Sequence, residues 1–344
     1  MKTQIYTIDN PKVKSLLQQC SFDFYHVPEY LSLCCNSDDN MPFYAISEFE
    51  DNLFILPFIC RSIENSNFID ATSPYGYSGP LIKLGQKEKC HTQFAQDAII
   101  NTKKVLAENG YISLFVRLHP TLNGNHISLF HESEVIVHGK TVGINLHDSE
   151  EQMWQSTRPT LRSDIRKLQD SNFHFTHDVE FAKYDEFIEI YHQTMSRVNA
   201  SNFYFFDTNY FYRLKDILGK SLSLLLIEDD NEVICGALFS EFSGIVQYHL
   251  AGTKSDRLHE MPSKLLIHLA RQWAKSRNNT LLHLGGGNGG SETDALFQFK
   301  SGFSKSRFNF ATWRTVLNNT VYEKLSLGKV LDSNSTFFPI YRLP

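Results

Sequence analysis

Residues 281–303 read LLHLGGGNGGSETDALFQFKSGF: a strand-like apolar run, a glycine-rich loop and a short helical segment. The helical segment places Lys300 among aromatic side chains, with Phe299 directly before it. An ammonium group in such surroundings loses hydration and interacts more strongly with a charge that develops beside it. Lys300 is therefore a candidate for stabilising an oxyanion.

The glycine loop, residues 285–290, allows two interpretations. Its amides could cradle a phosphate or a substrate, or its glycines could serve only a turn that needs positive φ angles. The loop lacks the Lys-Ser/Thr ending of a P-loop and the spacing of a dinucleotide-binding fingerprint. We prefer the turn, with Lys300 carrying the chemistry.

The strand before this loop closes a pattern that occurs twice: a hairpin, a further strand, an amphipathic helix and a closing strand. The segments are 41–47, 53–61, 67–71, 92–109 and 111–118 in the first half, and 223–227, 233–239, 245–250, 262–273 and 280–284 in the second. A chain of 344 residues exceeds the roughly 100–200 residues of one domain. We predict an α/β (α+β) fold made by tandem duplication, with domains at 1–145 and 146–344.

Composition is that of an ordinary soluble protein, with 42% hydrophobic and 21% charged residues. The net charge of -5 argues against a general electrostatic hold on nucleic acid, and we expect no DNA partner. No apolar run approaches the ~18 residues of a membrane-spanning helix, and residues 1–7 lack the features of a secretory signal. We expect a cytoplasmic protein that can still contact a membrane peripherally.

The cysteines show neither a C-x-x-C pair nor a histidine at zinc-like spacing. This predicts reduced thiols and no metal site. The six are Cys20, Cys34, Cys35, Cys60, Cys90 and Cys235.

An arginine-rich segment follows Ser156. Pro159 suits a first helical turn, and Arg158, Arg162 and Arg166 fall on one helix face at i, i+4 and i+8. Three guanidinium groups repel one another unless they share an anion, and arginine binds phosphate in bidentate fashion. We favour an anion site over a solvated basic face.

A second polar region surrounds the strand that ends at Thr253 and leads by a loop to a helix near Pro262. This arrangement can receive a pyrophosphate or a carbonyl oxygen. Within the strand, His249 could exchange protons with an amine, as could His283 in the closing strand, although a structural histidine is the commoner case.

In the first half, the stiff loop Ser73–Pro80 presents the hydroxyl groups of Tyr75 and Tyr77. Paired tyrosines beside Gly and Pro can line a sugar or peptide groove, or they can simply pack in a turn. Arg117 and His119 end a strand and could face the same cleft. The sequence leaves open whether this loop lines a groove or packs in a turn.

Taken together, the duplicated unit, the strand Tyr248–Thr253 and the ending Leu296–Phe303 resemble the Fem family and its GNAT-like acyltransferase relatives, from about Phe22 to about Arg314. The resemblance implies two GNAT-like domains, each with a mixed, mostly antiparallel sheet flanked by helices. Characterised members attach amino acids from aminoacyl-tRNA to an amine of a peptidoglycan precursor, and other relatives are described as N-acetyltransferases of envelope sugars.

By this resemblance, Phe299 and Lys300 match the family's catalytic pair. Arg162 and Arg166 match the basic helix that holds the phosphates of a nucleotide-linked substrate, and Tyr248 matches a tyrosine of the acceptor pocket. Two stretches depart from the pattern. Gly79-Pro80 lacks the arginine of the family's Pro-Arg-Gly-Pro turn, and Gly252–Arg257 matches only loosely the basic, glycine-spaced turn of acetyl-CoA enzymes.

We therefore expect an N-acyltransferase that acts on a nucleotide- or lipid-linked amino sugar or muropeptide in cell-envelope biogenesis. The donor is acyl-CoA, slightly favoured by the negative net charge, or aminoacyl-tRNA, which would make tRNA a partner. Acyl transfer needs a deprotonated amine, and the candidate bases are His249, Asp294 and a phosphate of the substrate. The alternative is a non-catalytic binding partner with the same fold.

Overall fold

A computed structural model describes residues 2–35, 39–85, 91–331 and 335–343. The chain forms two compact units, unit 1 with residues 1–138 and 309–344 and unit 2 with residues 139–308. The division predicted from the sequence, at residues 145 and 146, assigned the whole C-terminal part to the second domain. In the structure, residues from Asn309 onward belong to unit 1.

The elements of unit 1 begin with the N-terminal strand, and the last strand of this part continues into unit 2. They are β1 (Thr3–Thr7), α1 (Pro11–Leu17), α2 (Pro28–Leu33), β2 (Met41–Phe49), β3 (Asn52–Ser62), β4 (Ile69–Thr72), β5 (Leu81–Lys83), α3 (His91–Glu108), β6 (Tyr111–Arg117) and β7 (Val135–Asn145).

The second part of the chain carries the helix-rich elements of unit 2 and then returns to unit 1. They are α4 (Glu150–Ser156), α5 (Pro159–Gln169), β8 (His174–Asp178), α6 (Tyr184–Arg197), α7 (Thr208–Leu218), β9 (Leu222–Asp229), β10 (Glu232–Phe242), β11 (Ile245–Thr253), α8 (Pro262–Ser276), β12 (Leu281–Gly285), α9 (Ala295–Ser301), β13 (Arg307–Val316) and α10 (Asn319–Leu325).

In unit 1 the strands follow the order β1-β2-β3-β4-β6-β13, and β5 pairs with β3. The pairs are antiparallel except for β4 and β6, which run parallel. Phe94 and Ala98 of α3 pack against Leu114 and Val116 of β6 in the core. The predicted hairpin is the β2–β3 pair, closed by a turn between Phe49 and Asn52.

In unit 2 the order is β7-β12-β11-β10-β9-β8, again antiparallel except for the parallel pair β11 and β12. Ile165 of α5 and Leu265 of α8 belong to one core with Val246 and Leu282. Helix α6 lies close to β11, because Gly252 has no Cβ. An added Cβ there would come within 2.9 Å of the Ile190 backbone.

The predicted order of hairpin, strand, helix and closing strand is present in both units, and each closing strand runs parallel to the strand before the helix. Each unit has a mixed, mostly antiparallel sheet flanked by helices. Between the two repeats, β7 spans 135–145 and α4 begins at Glu150. The helices α1 and α2 and the return strand β13 were not predicted.

In the described part of the chain, no helix has the length and apolar character needed to cross a membrane. One cysteine, Cys90, lies outside the described residues. The other five are free thiols: Cys20, Cys34, Cys35, Cys60 and Cys235.

Candidate active site

The parallel strands of unit 2 are paired only at their beginnings. Ile245, Val246 and Gln247 of β11 face β12, and the last pair joins Gln247 to His283. Strand β11 then continues to Thr253, whereas β12 ends at Gly285. Over the described residues, β11 therefore has no partner on the β12 side from Tyr248 onward.

The side chains of the last pair hold the two strands together at this point. His283 Nδ1 lies 2.7 Å from Gln247 Oε1, and His283 Nε2 lies 2.8 Å from Thr141 Oγ1 of β7. All three side chains are buried. Because both ring nitrogens have partners, His283 serves as a structural link at the base of the gap. Sequence reasoning missed Gln247 and Thr141, whose roles depend on strand register.

His249 marks an irregularity in β11. Leu250 pairs with Leu238 and Tyr248 pairs with Phe239, so His249 is the extra residue of a bulge. Burial lowers the pKa of His249 to about 3. The imidazole is therefore neutral at pH 7 and a weak base, which argues against its use as the general base.

Lys300 projects from α9 toward the same part of β11. Its side chain is buried, with the residue only 8% exposed, and Nζ lies 5.7 Å from the centre of the Tyr248 ring. Nζ donates a hydrogen bond to Gly286 O at 2.7 Å. An ammonium has three N–H groups, so this bond leaves donors for a ligand.

Burial lowers the pKa of Lys300 to about 8, and the charge of Asp294 partly offsets this effect. Lys300 is thus mostly protonated at neutral pH and loses its charge in mildly alkaline solution. A partly desolvated cation beside an unpaired strand edge can stabilise negative charge on a nearby carbonyl oxygen.

The glycine loop and Asp294 position α9. Asp294 Oδ1 accepts hydrogen bonds from the amides of Phe297 at 2.9 Å and Asn288 at 3.1 Å, which caps the helix. Gly287 must be glycine here, because an added Cβ would lie 2.0 Å from Asp294 Oδ1. The carboxylate is committed to these amides, and the loop has the character of a turn.

The predicted arginines have different environments in α5. The Arg158 amide donates to Gly302 O at 2.8 Å, so the start of α5 meets the end of the helix that carries Lys300. Arg166 is exposed, with Cζ 5.4 Å from the centre of the Trp154 ring. Arg162 is half-buried, and no described residue gives its guanidinium a hydrogen bond or an ion pair.

The basic residues of the loop after β11 are already neutralised. Lys254 forms an ion pair with Glu232. Arg257 pairs with Asp229 and Glu260. Neither side chain is free to meet a phosphate without breaking these pairs.

In unit 1, Tyr75 and Tyr77 lie in a packed turn. Tyr75 O accepts a hydrogen bond from the Tyr30 hydroxyl at 3.2 Å, and the Tyr77 ring lies 5.5 Å from Phe310 and 6.1 Å from His119. His119 is fully buried, with Nε2 3.1 Å from Asp23 Oδ2. The packed-turn alternative describes these contacts better than an open groove.

The described side chains contain no cluster of three or more His, Cys, Asp and Glu residues that could hold a metal ion.

Residues 155–301 match the family model of the acetyltransferase (GNAT) domain. The match runs from α4 to the end of α9 and thus includes Tyr248, the gap between β11 and β12, and Lys300. No curated protein matches the chain in sequence.

Solved structures resemble the chain over nearly its whole length. FemX has a TM-score of 0.70 at 10% identity, covering 94% of this chain and 99% of FemX. A conserved protein of unknown function from Bacteroides thetaiotaomicron has a TM-score of 0.56 at 7% identity, covering 91% and 99%. The C-terminal domain of a putative lysylphosphatidylglycerol synthetase from Agrobacterium fabrum has a TM-score of 0.54 at 12% identity, covering 90% and 92%. At these identities the similarities show the fold alone.

Proposed function

We propose that the chain, whose residues 155–301 match the model of the acetyltransferase (GNAT) domain, transfers an acyl group from acyl-CoA to the amine of a nucleotide- or lipid-linked cell-envelope precursor. The observation that carries this proposal is the gap between β11 and β12, with the Lys300 ammonium 5.7 Å from the Tyr248 ring. An unpaired strand edge can bind an extended ligand through backbone hydrogen bonds. The amides of the pantetheine arm of CoA suit such an edge.

In the proposed reaction the acceptor nitrogen attacks the acyl carbonyl carbon and the carbonyl oxygen becomes an oxyanion. Lys300 Nζ donates a hydrogen bond to that oxygen. The C–S bond then breaks, and the amine proton ends on the departing thiolate, giving an amide and free CoA. The two candidate bases of the protein are poorly suited, since the pKa of His249 is about 3 and Asp294 caps α9. A phosphate of the acceptor remains the candidate for proton removal.

The acceptor class rests on α5. Arg162 is a half-buried cation without a partner among the described side chains, and it lies one turn from Arg158, whose amide meets the end of α9. Nucleotide-linked and lipid-linked precursors share the phosphate that arginine binds. We propose a phosphate-bearing amino sugar or muropeptide as acceptor, and the cytoplasm as the place of reaction.

The test is an assay of free-thiol release from acetyl-CoA with a panel of UDP-linked amino sugars and muropeptides. We expect Lys300→Ala to lower kcat about 10²–10³-fold through loss of the oxyanion donor, with CoA affinity retained in calorimetry. The control is Lys305→Ala, because Lys305 is an exposed lysine of the same unit. It should leave both quantities unchanged.

Three outcomes would redirect the proposal. Turnover with aminoacyl-tRNA and none with acetyl-CoA would make the donor that of the Fem family. Binding of donors without turnover would favour the non-catalytic binding partner. Full turnover in Lys300→Ala would remove Lys300 from the chemistry.

A further inference from the structure

The last turn of α6 fastens the far end of β11. Arg197 Nη1 donates to Thr253 O at 3.1 Å and to Ser255 Oγ at 2.9 Å. Thr194 Oγ1 accepts from the Thr253 amide at 3.1 Å. Arg197 thus lies where the strand passes into the loop before α8.

Arg197 carries a charge that no described carboxylate neutralises. All of unit 2 is described, and within it the guanidinium bonds only to neutral oxygens. Burial lowers the pKa of Arg197, and no neighbouring carboxylate opposes this effect. Arginine nevertheless stays protonated at neutral pH. A partly desolvated cation without a counter-ion attracts an anion.

Lys254 and Arg257 differ from Arg197 in this respect, although they occupy the same loop region. Carboxylates of the β9–β10 turn and of the loop itself pair with both. An anion that approached them would have to displace Glu232, Asp229 or Glu260. The same anion can approach Arg197 without breaking an ion pair.

A cavity of about 930 Å³ opens beside Arg197, with Ser255 and Ser196 in its lining. The same cavity continues along α6 to the carboxylates Glu189 and Asp185. Glu189 lies two helical turns from Arg197, about 12 Å along the axis. The end at Arg197 and Ser255 is therefore the one suited to an anion.

We propose that Arg197 and Ser255 form the site that receives the phosphoryl groups of the donor, in place of Lys254 and Arg257. This inference rests on the proposed acyl-CoA donor. Five residues of strand separate Tyr248 from Thr253, about 17 Å, a distance that the extended pantetheine arm can span between thioester and pyrophosphate. A thioester near Lys300 would then place its pyrophosphate near Arg197.

The test measures binding of CoA, pantetheine and inorganic pyrophosphate by calorimetry. Arg197→Gln should weaken CoA and pyrophosphate at least tenfold and leave pantetheine within twofold. The matched control, Lys254→Gln, should leave all three affinities within twofold. If Arg197→Gln fails to fold, Ser255→Ala, at an exposed position, should still weaken CoA about threefold without affecting pantetheine.

The inference is overturned if pantetheine weakens in parallel with CoA, because Arg197 would then only fasten β11. It is also overturned if Lys254→Gln has the larger effect, or if the unmodified protein binds neither pyrophosphate nor CoA. Pyrophosphate binding that depends on Arg197, without CoA binding, would keep the anion site and refute acyl-CoA as donor.

Discussion

The two units carry the same parallel strand pair but differ at the point where the strands could separate. In unit 1, the pairing of β4 with β6 runs to Thr72 and Phe115. The chain then keeps them joined, because the Ser73 amide donates to Phe115 O at 2.8 Å and Ser73 Oγ accepts from the Arg117 amide at 3.1 Å. In unit 2, the pairing of β11 with β12 stops at Gln247 and His283, and β11 continues to Thr253 paired only with β10.

The polar groups near these two places differ accordingly. In unit 1 the buried Asp23 and His119 side chains bond to each other and to nearby amides. In unit 2 the buried Lys300 uses one bond to Gly286 O. The same structural unit can therefore serve as a scaffold in one copy, where the parallel strands stay joined. In the other copy it can provide a binding site, where the strands separate beside a cation. This difference makes unit 2 the proposed location of the chemistry.

The largest effect expected in unit 1 is on stability. Asp70 is fully buried and accepts hydrogen bonds from Arg61, Arg342 and the Tyr341 hydroxyl. Asp70→Asn should lower the free energy of unfolding by about 3 kcal/mol, because two arginines lose their counter-ion. Turnover per folded molecule should remain unchanged. Denaturant unfolding and the acyl-transfer assay measure the two quantities.

The control for Asp70 is an exposed ion pair of the same unit. Lys12 and Glu48 have side chains 44% and 38% exposed, so Glu48→Gln should cost less than about 1 kcal/mol. A loss of kcat in Asp70→Asn at temperatures where the protein is folded would break the comparison, since unit 1 would then take part in the reaction.

A smaller effect is expected from pH on unit 2. Lys300 has a pKa lowered to about 8 by burial, so its ammonium is present below that pH and is lost above it. We expect kcat to fall above pH 8, approaching tenfold per pH unit. Lys300→Arg, whose guanidinium stays charged, should retain part of the activity and lose this alkaline fall. Both pH profiles are measured with the same acceptor, so the titration of the acceptor amine affects them equally. An unchanged alkaline fall of kcat in Lys300→Arg would exclude Lys300 as the cause of that fall.

Local patterns accounted for much of the fold. The hairpin turns and the amphipathic periods of α3 and α8 depend on near neighbours in the chain, and they were found from the sequence. The pairing of β13 with β6, such as Thr312 with Arg117, joins distant segments and carries no local signal. For the same reason, no local pattern indicated that residues from Asn309 onward belong to unit 1, and the domain division was placed at residue 145.

For the same reason, only part of the candidate site was predicted from the sequence. Lys300 was marked by its aromatic neighbours and by family resemblance, whereas its position beside Tyr248 depends on the whole fold. From the sequence alone, the basic loop residues Lys254 and Arg257 were suitable for binding a phosphate. Their pairing with Glu232 and Asp229 arises only when the β9–β10 turn folds beside them.

Amide hydrogen exchange with and without CoA tests the central claim, that the open strand pair of unit 2 receives the donor. We predict protection of the backbone amides from Tyr248 to Gly252 on addition of CoA, with exchange unchanged from Thr72 to Ser78 in unit 1. Protection of the unit 1 segment alone, or no change in β11 under saturating CoA, would contradict the account.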